Sequence, residues 1–254
     1  MLLAIDVSNT NTKLGLFSGD ELVHSFRIAT DRERTGDELG VLLGGLFAHR
    51  GCRPGDVTGI AVASVVPTLE RSLEELAAGY FACRPLFVEP GVKTGMAVHF
   101  DNPAEIGADR IVNAVAAYEL VGGPAVVVDF GTATTFDVVS ADGHYGGGVI
   151  APGMMISAEA LFQRAARLPL VAVEKPPRVI GSNTVQCMQA GLFHGYIGLV
   201  EGLLSRIEEE LGVTPRVIAT GGHGEIVAGE CTAIERVEPA LTLHGLRLVY
   251  SRNR

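Results

Sequence analysis

One motif occurs twice in this chain, and its repetition limits the possible folds more than any other feature. Residues 6–12 read D-V-S-N-T-N-T, and residues 129–135 read D-F-G-T-A-T-T. Each follows a short apolar run, Leu2 to Ile5 and then Ala125 to Val128. Each leads into a second apolar stretch, a turn and a third stretch. The turns are Ser18-Gly19-Asp20 and Ala141-Asp142-Gly143, at the same offset from their motifs. Strand, Asp-bearing polar turn, strand describes a β-hairpin with a polar tip. Two such loops facing each other would form one nucleotide site between two related domains. Backbone N–H groups and hydroxyls would hold phosphates, and the two aspartates the metal.

The rest of the chain supports the repeat. In the first half, strands are expected near 2–6, 11–17 and 21–29. A helix follows over about 36–50, capped by Thr35 or Asp37. Ile60-Ala61-Val62-Ala63 lies in a continuously apolar strand over 59–66, as in a covered sheet. Pro67 opens a helix carrying Leu69, Leu73, Leu76 and Ala77 at helical spacing. A short strand at 86–88 and a helix over about 108–121 complete this half. Gly122-Gly123-Pro124 marks the boundary, giving domains 1–121 and 122–254. The second half repeats three strands at 125–129, 134–140 and 144–150, with helices near 153–166 and 184–211. A buried strand over 216–220 ends in Gly221-Gly222, and a helix is expected over 239–250. The order βββαβα, written twice, is the duplicated ribonuclease-H-like α/β arrangement of actin, Hsp70 and sugar kinases.

Bulk properties narrow the partners. A chain of 254 residues is ample for a buried core. The net charge of -9 and the lack of a Lys/Arg-rich segment argue against nucleic acid. No apolar run is long enough for a membrane span, and no signal peptide opens the sequence. Cys52, Cys83, Cys187 and Cys231 form no C-x-x-C pair and read as thiols in a reducing cytoplasm.

Four segments are candidates for chemistry. Asp6 to Lys13 carries Ser8, Asn9, Thr10, Asn11 and Thr12, suited to phosphate oxygens, with Lys13 as a point charge. Asp129 to Asp137 carries Gly131 and three hydroxyls, Thr132, Thr134 and Thr135. Ala219-Thr220-Gly221-Gly222 offers a glycine pair against which a base and ribose can lie; an ordinary strand-to-helix turn has the same look. Gly107-Ala108-Asp109-Arg110 opens a largely apolar helix. Asp109 reads there either as a first-turn charge or as the carboxylate that a kinase acting on an alcohol requires.

Taken in order, these residues resemble the type III pantothenate kinase family nearly end to end. The matches include D-V-x-N-T-N at 6–11, T-D-R at 30–32, S-V-V-P at 64–67 and N-P-x-E-x-G-A-D-R-I-V-N-A at 102–114. They continue through D-F-G-T-A-T-T at 129–135, G-G-V-I-A-P-G-M at 147–154, S-A-E-A-L at 157–161 and A-R-L-P at 166–169. N-T-V at 183–185 and A-T-G-G at 219–222 complete them. The resemblance implies phosphorylation of pantothenate by ATP, the first committed step of coenzyme A synthesis. It implies that Asp6, Val7, Ser8, Asn9, Thr10, Asn11, Thr12, Lys13 and Thr132 bind ATP. Gly107, Ala108, Asp109 and Arg110 would bind pantothenate beside Phe100, with Asp109 as proton acceptor. Asp129 would hold potassium or ammonium, and Mg²⁺ would accompany ATP, ordered by Asp6 through water. Thr184 would reach pantothenate across a homodimer interface. A stripe of Met188, Leu192, Gly195, Leu199 and Leu203 suits a second helix. The family usually has Gly in place of Ser8, a residue that suits φ > 0, and commonly Tyr in place of Phe100. A different actin-like kinase or phosphohydrolase shares the Asp loops but lacks the G-A-D-R segment. A non-enzymatic regulator is the other alternative.

Overall fold

The computed structural model describes residues 1–165 and 167–254. It divides into two units: Met1–Leu120 with Ala240–Arg254, and Val121–Pro239. The sequence boundary at 121/122 falls beside this division. The terminal segment, expected with the second half, packs instead with the first unit.

In unit 1, β1 (Leu2–Val7), β2 (Asn11–Ser18) and β3 (Glu21–Ala29) form an antiparallel meander. Gly19 takes φ +60° at the second turn, a conformation most side chains resist. Helix α1 (Gly36–His49) then crosses to β4 (Gly59–Ser64), which lies parallel to β1. Thr35 and Glu38 form a reciprocal capping box at the start of α1. A 3₁₀ turn from Pro67 leads into α2 (Glu70–Tyr80), followed by β5 (Pro85–Phe87). The strand order is β3-β2-β1-β4-β5.

Alternation along the strands sorts the two faces of this sheet. Leu3, Ile5, Val7, Leu14 and Leu16 face α1 and α2, packing on Leu43, Phe47, Leu73 and Leu76. The other face, where Ala4, Gly15, Gly59 and Ala61 leave room beside larger neighbours, receives the C-terminal helix. A Cβ on Gly15 would lie 3.1 Å from Leu243, and one on Gly59 would lie 1.8 Å from the Tyr250 hydroxyl. Helix α3 (Ala108–Val121) approaches that terminal helix as closely, since a Cβ on Gly245 would meet the Val112 carbonyl at 2.0 Å.

Unit 2 repeats the plan. Strands β6 (Ala125–Phe130), β7 (Ala133–Val139) and β8 (Tyr145–Pro152) form a second antiparallel meander. Helices α4 (Met154–Arg164) and α5 (Thr184–Leu211) lead to β9 (Arg216–Gly221), parallel to β6. The expected helix over 153–166 ends at Arg164, and residue 166 lies outside the described residues. Helix α6 (Gly224–Ala228), strand β10 (Arg236–Val237) and α7 (Leu241–Arg252) close the chain. The order β8-β7-β6-β9-β10 is that of the first sheet, element for element. Val126, Val128, Phe130 and Phe136 pack under Phe193, Tyr196, Ile197 and Val200 of α5. Asp129 therefore stands on the opposite face.

All four cysteines are free thiols. Among the described residues, no helix is long and apolar enough to cross a membrane.

Candidate functional site

In unit 1 the β1–β2 hairpin carries the first polar tip. Asp6 and Lys13 are register partners on the face opposite α1 and α2. Asp6 is almost fully buried, while Asn9 and Thr10 are exposed at the tip. The tip is braced from β3. The Thr30 hydroxyl donates to the Ser8 carbonyl at 2.7 Å, and the Thr30 N–H donates to the Thr10 carbonyl at 3.0 Å. Thr30 has one hydroxyl proton to give. Thr12 must therefore be the donor in the 2.9 Å contact between the two threonine hydroxyls. Arg32 Nη2 donates to Asn9 Oδ1 at 3.0 Å. The T-D-R segment thus holds the loop, a role its sequence did not disclose.

Ser8 resolves simply. Ala82 is the one non-glycine residue with positive φ among those described, so the tip needs no glycine here. The Ser8 hydroxyl turns back toward Asp6 Oδ1, 3.5 Å away. Thr30→Val removes the hydroxyl anchor while retaining shape. It should lower stability by about 1 kcal/mol. A thermal melt checks this; an unchanged melting temperature would mean the brace is dispensable.

The β4 end joins this tip to α3. The Val65 N–H donates to the Val7 carbonyl at 3.0 Å, and a Cβ on Gly107 would lie 3.5 Å from Val65 Cγ1. Asp109, in the first turn of α3, therefore stands at the same edge of the sheet as the hairpin tip. Its Oδ1 accepts the Arg110 N–H at 2.8 Å. Burial pushes its carboxyl above the usual aspartate range, opposed by that N–H and by the Arg110 guanidinium. Such a group ionises reluctantly but accepts a proton readily. Gly107 gives the carboxylate room: a Cβ there would lie 2.5 Å from Asp109 Oδ1. Asn102 caps the preceding turn, its Oδ1 accepting the Ala104 N–H at 3.3 Å. Phe100 is partly exposed nearby in the sequence. A cavity of about 280 Å³ in unit 1 lies at the opposite edge of the sheet, where Leu2 and Gly59 begin their strands, away from Asp109.

In unit 2 the β6–β7 hairpin carries the second tip, with Gly131 and Thr132 exposed. Gly153 packs against it so closely that a Cβ would lie 2.2 Å from the Thr132 carbonyl. The three hydroxyls expected here divide. Thr134 is fully buried on the core side and pairs with the Tyr196 hydroxyl, so it supports the fold. Thr132 is at the tip, and Thr135 lies on the Asp129 face. Asp129 Oδ1 rests in a recess that only glycine leaves open: a Cβ on Gly221, at φ +89°, would lie 2.5 Å from it. Buried Thr220 Oγ1 has no hydrogen-bond partner among the described residues. A carboxylate, an unpaired hydroxyl and this recess fit an oxygen-liganded hard cation. The Gly222 N–H donates to the Phe130 carbonyl at 3.0 Å, fixing the glycine pair at the end of β9. Thr184 is the exposed first residue of α5, behind Asn183, whose Oδ1 accepts the Gln186 N–H at 3.0 Å.

Two copies of one sheet order, each with an Asp-bearing hairpin at the same place, define the actin, Hsp70 and sugar-kinase class of α/β proteins. Solved structures share the fold. A protein described as a Baf family transcriptional activator from Campylobacter jejuni matches with a TM-score of 0.61 and 18% identity, covering 99% of this chain and 98% of that one. One described as a 2-dehydro-3-deoxygalactonokinase from Sinorhizobium meliloti matches with a TM-score of 0.60 and 14% identity, covering 99% and 96%. Residues 2–206 match the family model of type III pantothenate kinase. The type III pantothenate kinase of Myxococcus xanthus is 56% identical over 253 residues, covering 100% of this chain and 99% of that protein. The chain belongs to the type III pantothenate kinase family.

Proposed function

We propose that this protein transfers the γ-phosphoryl group of ATP to the primary hydroxyl of pantothenate, giving 4'-phosphopantothenate at the start of coenzyme A synthesis. The observation that carries the reading is the place of Asp109, whose carboxyl burial holds above the usual aspartate range, at the same sheet edge as the braced hairpin 6–13. The 6–13 loop and Thr132 take the ATP phosphates through backbone N–H groups, hydroxyls and Lys13. Gly221 and Gly222 take the nucleoside. Phe100, Gly107, Ala108 and Arg110 hold pantothenate, Arg110 offering a rigid fork of donors. Asp109 orients the substrate hydroxyl and accepts its proton late in transfer. Catalysis is otherwise positioning and charge neutralisation, because the transferred group is metaphosphate-like. Asp6 would hold Mg²⁺ through water, the ion supplying neutralisation of phosphate charge. Asp129 would hold potassium or ammonium, adding fixed positive charge. Working on ATP and a vitamin acid, the protein belongs in the cytoplasm. The test is product formation from pantothenate and ATP, with and without K⁺ or NH₄⁺. Preference for a sugar acceptor would sink the reading.

A homodimer completes the proposal. Unit 2 exposes Ile150, Met155, Ile156, Phe162 and Ile180, an excess of large apolar side chains on one unit. On α5, Phe193, Tyr196, Ile197 and Val200 face their own core, and Leu199 and Leu203 pack partly against it. Gly191 and Gly195 stay uncovered. If Thr184 of one subunit serves the pantothenate pocket of the other, an isologous dimer has two shared sites. Mixing inactive Asp109→Asn with inactive Thr184→Arg should then restore activity, because one site of the mixed dimer carries both lesions and the other neither. Heterodimers verified by mass that stay inactive would rule out a shared pocket.

A further inference from the structure

Asp129 does not stand alone on its face of the second sheet. Its register partners are Thr135 on β7 and Thr220 on β9. Register partners project to the same face, with strands about 4.8 Å apart. A hydroxyl, a carboxylate and a hydroxyl therefore cross three adjacent strands in one row. Both hydroxyls have hydrogen-bonding states that favour acceptance. Thr135 Oγ1 gives its single proton to Asp137 Oδ2 at 3.1 Å. Asp137 is fully buried, and its other oxygen accepts the buried Tyr145 hydroxyl at 2.9 Å. With its proton so committed, Thr135 presents only acceptor capacity in its remaining directions. Thr220 Oγ1 is buried with no hydrogen-bond partner among the described residues. A valine of the same shape would avoid the penalty of that unpaired hydroxyl.

We propose that Thr135 and Thr220 complete, with Asp129, the ligand set of the monovalent cation. Asp137 and Tyr145 form the layer behind it, fixing Thr135 with its oxygen toward the ion. The proposal rests on the reading of Asp129 as the cation residue and extends it to two hydroxyls that the sequence motifs left without that role. One formal negative charge and two neutral oxygens match a singly charged hard cation in charge and in ligand type.

The test reads cation binding through stability. The melting temperature of the full chain is followed against KCl, with tetramethylammonium chloride holding ionic strength constant. A ligand that binds only the folded state raises Tm by mass action. The wild type should show a K⁺-dependent rise, and Asp129→Asn should lose it. Thr220→Val and Thr135→Val should each move the K⁺ midpoint up about tenfold or more. Thr220→Ser and Thr135→Ser, which keep the oxygen, should restore it. The K⁺ concentration for half-maximal turnover should shift in parallel while kcat at saturating K⁺ is largely retained. Because the readout is the K⁺-dependent shift, a lower baseline Tm in a variant does not obscure it, and Thr220→Ala replaces any valine variant that fails to fold. Valine variants with the wild-type midpoint, alongside an unresponsive Asp129→Asn, would overturn the proposal and leave the Asp129 reading intact. A wild type without a K⁺ response, or an Asp129→Asn that keeps one, would overturn both.

Discussion

Asp109→Asn should give a folded protein that binds ATP but turns over about a hundredfold more slowly, or worse, because the amide keeps the shape and cannot take a proton. The same substitution should raise thermal stability at neutral pH. Burial lifts the folded carboxyl above its unfolded value. The contribution of such a group is fully present below the unfolded value and is lost as pH rises through the folded one. Neutral pH lies above the unfolded value, so part of that contribution is already lost there, and asparagine, which does not titrate, escapes the loss. The stability advantage of the variant should shrink as the medium is acidified toward the unfolded carboxylate value. In the wild type, kcat/KM should fall on the acid side through the raised pKa. Turnover close to wild type would remove Asp109 from the mechanism. A variant less stable at neutral pH would show that the carboxylate is held for structure.

Gly221→Ala should be among the most damaging single changes in unit 2. Its φ of +89° resists any side chain, and the new Cβ would lie 2.5 Å from Asp129 Oδ1 and 2.6 Å from the Phe130 backbone. Backbone strain and overpacking each cost about 1–3 kcal/mol. Rigid strand atoms cannot step aside, so the carboxylate must move. The expected outcome is a lower melting temperature, a severalfold weaker response to K⁺ and loss of most turnover. Calorimetry and kinetics on the purified variant check it. A variant with wild-type stability would mean that β6 and β9 separate easily there. Gly222→Ala, where no atom lies within reach of a Cβ, is the matched control and should fold normally.

Much of this architecture is legible in the chain because it is written twice. The hairpins at 6–12 and 129–135, with turns at equal offset, disclose both meanders, and continuous apolar runs disclose β4 and β9. Helix α6 and strand β10 are too short to carry a period, five and two residues. The place of α7 was hidden for another reason. Its amphipathic pattern says that one face is buried, and nothing local says against which sheet; the recesses at Gly15 and Gly59 decide that. At the site, the order of Thr132, Thr134 and Thr135 reads as three equivalent hydroxyls. Only strand alternation sends Thr134 inward to Tyr196 and leaves Thr135 beside Asp129. Thr30 braces Ser8 and Thr10 through pairing of β2 with β3, a contact that sequence spacing does not reveal.

The chain leaves unit 1 at Leu120 and returns to it at Ala240. During synthesis, therefore, the portion that emerges first is the last to be finished. All of unit 2 is polymerised before α7. Until α7 follows, the face of the first sheet with Gly15 and Gly59 lacks its cover. A chain cut short before Leu241 would therefore carry Asp6 and Asp109 on a sheet with one face uncovered.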